Sequence, residues 1–237
     1  DKGFKLVSFD YSQIELRVAA IASGDEKLIK FFKEGRDIHA AVAAEVFNVE
    51  QDKVTSEMRR RAKVINFGIL YGMGVNALKQ NLNCSREEAQ QFYDEYFKEF
   101  EGMARYVEEV KEVVRKRGYT TTVIGRRRYF PQINSPLEYI AKEAERMAIN
   151  APLQGMAADL IKMAMVKLDG IFEEKKLKNK ARLLLQIHDE LLYEIEEGEV
   201  KEIAPIIAKE MQEVFKSQVP IGVNASIGNN WKDMIPF

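Results

Sequence analysis

Apolar and polar residues change period along the chain, and each change marks an element. Phe4-Lys-Leu-Val-Ser-Phe9 is a short strand-like run that ends at Asp10. Ser12, followed three residues later by Glu15, spells a capping box and predicts a helix through about Ala22. Helical periods restart near Asp25 and Asp37, with Gly35 closing the first of these. Another runs from about Thr55 to Leu70 and is terminated by Gly72 and Gly74. Ser85 with Glu88 makes a second capping box, opening a helical stretch that reaches Gly118 with an interruption near Gly102.

From Tyr119 to Phe130 the chain turns β-branched, and Gly125-Arg126 predicts a hairpin turn. Ser135, Pro136 and Glu138 then open a helix to about Ala151, where Pro152 is expected to break it before a long helix to about Lys176. The last part alternates: a strand over Arg182–Ile187, a tight connection at His188-Asp189, a strand over Glu190–Ile195, a helix, and a strand over Val223–Ile227. Strands at both ends therefore bracket a helical middle of about 170 residues. The expected fold is α+β, an antiparallel sheet completed by both ends of the chain with a large helical insertion.

Composition narrows the class. The 237 residues suffice for a substantial core, and one cysteine excludes an internal disulfide scaffold. No apolar run reaches the length of a membrane span, so the chain reads as soluble and cytoplasmic, with no membrane partner. It starts without methionine or a secretory pattern and enters a strand at once, which reads as a piece cut from something longer. A net charge of −1 argues against indiscriminate coating of nucleic acid. The average conceals a split: Lys111 to Arg128 holds seven cations against one acid, and Asp189 to Glu202 holds seven acids against one cation. One region suits a polyanion and the other repels it.

Asp10 ends a strand and Asp189 sits between two others. Joined in one sheet, their carboxylates could converge as two-metal phosphoryl-transfer chemistry requires, although spacing alone favours an N-cap and a turn former. Arg59, Lys63, Phe67 and Tyr71 recur at every fourth residue and share one helix face. Cations followed by aromatics suit a ligand with phosphates at one end and a flat ring at the other, while a solvated basic start and an aromatic core end are the plain alternative. Arg146, Asn150 and Gln154 form a polar stripe that suits groove edges or a buried satisfied network. His188 is a candidate metal ligand, base or phosphate contact, against the commoner histidine with no such role.

Three stretches carry a resemblance. Asp10-Tyr-Ser-Gln-Ile-Glu-Leu-Arg17, Arg59-Arg-Arg-Ala-Lys63-Val-Ile-Asn-Phe67-Gly-Ile-Leu-Tyr71-Gly72 and His188-Asp189-Glu190 resemble, in order, motifs A, B and C of family A DNA polymerases, and the likeness extends over essentially the whole chain. It implies a palm over residues 1–24 and 136–237 and mainly fingers over 25–135, with the thumb and upstream domains absent.

By that resemblance, Asp10, Asp189 and the main-chain carbonyl of Tyr11 would hold two Mg²⁺ ions, with Glu190 in support. Gln13, Glu15, His39, Arg59, Lys63, Phe67 and Tyr71 would receive the deoxynucleotide. Arg59, Lys63 and His39 grip its triphosphate, Glu15 excludes a ribose hydroxyl, and Phe67 predicts discrimination against dideoxynucleotides. Arg126, Arg146, Asn150, Gln154 and His188 would touch primer-template DNA. Met156 stands where the family usually has threonine, and Glu173–Lys180 is longer than usual. The implied activity is template-directed DNA synthesis in a bacterium or a virus of one, in concert with an N-terminal thumb and exonuclease-like polypeptide or domain. The alternative is a truncated nucleotide- or DNA-binding subunit that does not polymerise.

Overall fold

The computed structural model describes residues 1–237, and the chain divides into two compact units. The first comprises residues 1–14 and 157–237, the second residues 15–156.

The first unit is built on β1 (Phe4–Ser12), which pairs antiparallel on both sides. Its neighbours are β5 (Glu190–Glu196) and β6 (Gly222–Gly228); β4 (Ala181–Ile187) lies beyond β5 and β7 (Ile235–Pro236) beyond β6, giving the order β4-β5-β1-β6-β7. Both ends of the chain thus complete one antiparallel sheet, as the sequence pattern predicts. Val7, Phe9 and Tyr11 are buried on one face of β1, with Phe9 edge-on to Tyr193, which in turn packs against Phe172. Ile203, Ala204, Ile207 and Met211 bury one stripe of the helix Val200–Gln212.

β1 runs two residues past the expected end, so Asp10 lies within a paired strand. The helix expected after Ser12 follows, two residues on. Ser12 remains in the strand, Gln13 turns the chain with φ +54°, and α1 spans Ile14–Ser23.

The second unit is helical, with α2 (Glu26–Lys33), α3 (Ile38–Val46), α4 (Ser56–Leu70), α5 (Val75–Leu82), α6 (Arg86–Glu99) and α7 (Glu101–Arg117). A small hairpin follows, β2 (Tyr119–Thr121) with β3 (Arg127–Tyr129). The capping box of Ser85 and Glu88 is present, and Asp25, Asp37 and Thr55 cap α2, α3 and α4. The interruption near Gly102 falls at Phe100, and Gly102 lies in the first turn of α7.

The helix α8 (Glu138–Glu174) runs through Pro152 without a break. A proline there forfeits one backbone hydrogen bond and costs about 3 kcal/mol. Burial on both sides of it, at Ala148, Ala151, Leu153, Met156 and Leu160, outweighs that local cost. Ala144, Ala148 and Ala151 pack in one cluster with Val114, Phe130 and Ile133.

Asp25 ties the helical unit together. Its Oδ1 accepts from Leu28 N at 3.0 Å, and its Oδ2 accepts from Gly102 N at 2.9 Å and Met103 N at 3.3 Å, so one buried carboxylate serves the N-terminal ends of two helices. The approach is close enough that a Cβ on Gly102 would stand 2.5 Å from Asp25 Cα. Asp25→Ala strands three buried donors and is expected to lose about 3 kcal/mol by urea denaturation. A loss below about 1 kcal/mol would contradict this role.

Candidate active site

The register of β1 decides what faces the open side of its sheet. Asp10 stands opposite Glu190 on β5 and Asn224 on β6, so these three share one face. Asp189 occupies the two-residue connection between β4 and β5, and its carbonyl accepts from Tyr11 N at 3.1 Å. The other residue of that connection, His188, has φ +51°. A left-handed backbone costs a residue bearing Cβ roughly 1 kcal/mol or more, and two such residues lie near the aspartates in sequence, His188 directly before Asp189 and Gln13 three residues after Asp10.

These acids repel. The Asp10 carboxyl is pushed up to about 6, first by burial and then by the charges of Asp189 and Glu190. Trp231 Nε1 donates to Glu190 Oε1 at 3.2 Å, which orients that third carboxylate. Tyr11 is buried and its hydroxyl donates to the Met211 carbonyl at 3.0 Å, so its ring belongs to the core and any ligand contact falls to its main chain. No three metal-ligating side chains gather at one point. Two repelling aspartates and a carbonyl fit a hard cation that draws the rest of its shell from water and phosphate oxygens, which is the habit of Mg²⁺.

In the second unit α4 sorts its charges by face. Glu57 pairs with Arg60 at 2.6 Å and Arg61 at 3.1 Å, and the pairing holds its carboxyl down to about 2. The Arg59-Arg60-Arg61 run therefore divides: two of its cations are matched locally, while Arg59 and the exposed Lys63 begin the stripe that Phe67 and Tyr71 continue. Arg59 Nε donates to Asp37 Oδ2 at 2.7 Å, and the other oxygen of that carboxylate caps α3 through His39 N and Ala40 N. His39 is buried with its ring 5.8 Å from that of Phe67, and the Phe67 and Tyr71 rings lie near-parallel 6.4 Å apart. Tyr71 Oη donates to Glu15 Oε2 at 2.8 Å, and burial together with that carboxylate pushes the phenol up to about 12. Glu15, expected to cap a helix, is thus held by the end of α4.

The residues assigned to DNA by resemblance are mostly exposed. Arg126 and Gln154 line a cavity of about 250 Å³ with Thr120, Thr122 and Arg128, and Gly155 admits Thr122 to within 2.8 Å of where a Cβ would lie. Arg146 is exposed at a larger cavity of about 610 Å³, where Lys111 and Lys142 add positive charge. Gly72 needs its φ of +66° and the absence of Cβ, which would lie 3.0 Å from Arg146 Cα. Asn150 is half-buried beside Ile149, whose carbonyl accepts from Tyr106 Oη at 3.0 Å. Met156 is fully buried and fills the core. His188 is exposed, and its carbonyl accepts from Gln186 Nε2 at 2.8 Å.

Sequence reasoning missed Asn66, Asn224, Asp37 and Trp231. Asn66 left a signal, a polar residue inside the apolar stretch Val64–Phe67; Asn224 and Trp231 acquire their places only through strand pairing.

Comparison with known proteins matches residues 1–233 to the family model described as DNA polymerase family A. The thermostable DNA polymerase I of Thermus aquaticus is 46% identical over 231 residues, covering 98% of this chain and 27% of that protein. DNA polymerase I of Bacillus subtilis is 44% identical over 233 residues, again 98% of this chain and 26% of the relative. Among solved structures, the POL domain of Pol1 from M. smegmatis, in complex with DNA primer-template and dNTP, is similar with a TM-score of 0.93 and 42% identity, covering 98% of this chain and 41% of that one. The chain spans about a quarter of the length of these curated relatives.

The raised Asp10 carboxyl has a consequence for stability in chelator. From an unfolded value near 3.8 to a folded value of about 6, the native state holds this proton more tightly. Its stabilising contribution is complete below pH ~4 and is lost as pH rises through ~6. Metal-free Asp10→Asn is expected to unfold at higher urea than the parent at pH 7.5 and to show less decline between pH 4 and 7; equal slopes would refute the assignment.

Proposed function

Since the chain belongs to DNA polymerase family A, we propose that residues 1–237 form the palm and fingers of a DNA-directed DNA polymerase. Residues 1–24 and 136–237 are read as palm and 25–135 mainly as fingers. The observation that carries this reading is the pairing, in one chain, of an uncompensated carboxylate set at Asp10 and Asp189 with a cation-then-aromatic stripe from Arg59 to Tyr71. Phosphoryl transfer asks a protein for charge neutralisation and positioning, and these two features supply both.

When bound, two Mg²⁺ ions at Asp10, Asp189 and the Tyr11 carbonyl would supply a lowered pKa for the primer 3′-hydroxyl and charge neutralisation of the pyrophosphate leaving group. Glu190, held by Trp231, supports that carboxylate set. Lys63 and Arg59 bind phosphate oxygens, Lys63 as a point charge and Arg59 through a planar fork. Asp37 keeps Arg59 extended toward that task. His39 adds a donor, and Phe67 packs on the sugar. Gln13 positions the entry to α1, and Glu15, anchored by Tyr71, occupies the space a ribose 2′-hydroxyl would need. Arg126, Arg146, Asn150, Gln154 and His188 meet the primer-template, where groove acceptors common to all base pairs report shape. Bacterial relatives support a cytoplasmic setting.

An N-terminal thumb-bearing polypeptide or domain is part of this reading. β4 is one edge of the sheet, and Leu183, Leu184 and Leu185 on it are 36%, 45% and 46% exposed. An exposed apolar edge is a template for another strand, and a thumb-bearing N-terminal polypeptide would cover it. Without that partner, residues 1–237 are expected not to extend primers processively.

Primer extension with Mg²⁺ tests both points. Alone, the chain is expected to give no processive product. Placed in the Thermus aquaticus relative in exchange for the matched stretch, it should extend primers, and Asp10→Ala or Asp189→Ala should each reduce the rate about a thousandfold or more. Robust extension by the isolated chain, or an unimpaired Asp10→Ala chimaera, would sink the reading. In the same chimaera Phe67→Tyr is expected to raise dideoxynucleotide incorporation relative to deoxynucleotide; an unchanged ratio counts against Phe67 as the sugar contact.

A further inference from the structure

Asn66 lies on α4 between Lys63 and Phe67 in sequence and is fully buried, at 0% exposure. Its Nδ2 is 3.3 Å from His39 Nδ1, and its Oδ1 has no hydrogen-bond partner. A buried amide with one hydrogen bond is an uncommon arrangement, and the bond it keeps is to a histidine of the nucleotide face.

The protonation state of that histidine follows from its surroundings. Burial lowers the His39 pKa, and Arg59 and Lys63 on α4 lower it further against the opposing pull of Asp37 beside it on the α3 cap. His39 is therefore neutral at physiological pH. A neutral imidazole carries one donor and one acceptor, and an amide nitrogen can only donate, so Nδ1 must be the acceptor and the proton sits on Nε2. The reverse amide orientation would make Oδ1 the acceptor and leave an NH₂ with two unpaired donors in a fully buried place. That is costlier than the orientation shown, which leaves one carbonyl oxygen and one N–H unpaired in place of two N–H groups, because orphaned buried donors are the rarer and more heavily penalised case.

The geometry points to Asn66 as a positioning residue: it locks His39 in the Nε2–H tautomer, so that the ring presents a hydrogen-bond donor, and never a lone pair, to the triphosphate of the incoming nucleotide. Phe67, 5.8 Å from the imidazole and tilted 44° to it, limits the ring from a second side. This deepens the nucleotide reading of α4 and rests on it. A phosphate oxygen accepts hydrogen bonds and offers none, so the other tautomer would turn two lone pairs toward each other. The lock makes the donor available without a positive charge on the ring, leaving the charge matching to Arg59 and Lys63.

The chain has only two histidines, 39 and 188, which makes the tautomer directly observable. In ¹⁵N-histidine-labelled chain, with His188→Gln to assign the signals, His39 is expected to show a protonated Nε2 and an unprotonated Nδ1 at pH 7.5. In Asn66→Leu, which keeps the side chain's shape and removes its donor, the two nitrogens should move toward exchange-averaged values. In Asn66→Asp, which offers only acceptors and a negative charge, the proton should shift to Nδ1 and the His39 titration should move to higher pH. An Nδ1–H tautomer in the parent, or a tautomer unchanged in Asn66→Leu, would overturn the role of Asn66.

Binding of dATP to the same proteins supplies the second readout. Asn66→Leu should weaken dATP about tenfold and leave deoxyadenosine unchanged, and the loss should vanish when His39 is already Ala. A dATP loss that persists in the His39→Ala background would overturn the proposal, since Asn66 would then act other than through His39. Failure of the parent chain to bind dATP at all would instead overturn the nucleotide reading of α4, while the tautomer measurement still decides what Asn66 does to His39.

Discussion

Pairing of β1 on both of its edges governs the first unit. With a neighbour on each side the strand cannot slip, and a slip of one residue would exchange its two faces. Val7, Phe9 and Tyr11 would leave the core and Asp10 would enter it, at the cost of a buried unpaired charge. Core formation and carboxylate placement are therefore one event. The aromatic contacts of Phe9 with Tyr193 and the hydroxyl of Tyr11 on Met211 hold the same register from the buried side. The opposite face is free to carry Asp10 against Glu190, an arrangement that stability alone would disfavour.

A second economy is electrostatic. The near-zero net charge results from local cancellation at some places and deliberate imbalance at others. Glu57 neutralises Arg60 and Arg61, and Glu145 accepts from Arg115 at 2.7 Å, while Lys63 is left unmatched and Asp10 sees only acids. Asp37 is intermediate, giving one oxygen to the α3 backbone and one to Arg59, so that the helix start and the Arg59 guanidinium share an anchor.

Much of this was legible in the sequence, and the failures have physical causes. Local signals, such as the Ser85–Glu88 box, the Asp25 and Asp37 caps and the β-branched run before Gly125, predicted elements well because neighbouring residues decide them. Pro152 misled because burial along α8 outweighed local preference, and β1 outran its expected end because strand pairing carried it on to Ser12. The spacing of Arg59, Lys63, Phe67 and Tyr71 revealed the stripe, and the motifs revealed its family. Asn66, Asn224 and Trp231 stayed hidden because a hydrogen bond or register partner distant in sequence gives them their meaning.

Gly72 and Gly102 admit backbone so closely that no side chain fits, one against Arg146 and the other against Asp25. The segments they join can drift in sequence only together: α4 cannot change its ending unless α8 recedes, nor α7 its beginning unless the α2 cap does. In a lineage of homologues such seams would act as fixed hinges of descent, holding two helix junctions invariant while the exposed residues around them diverge freely.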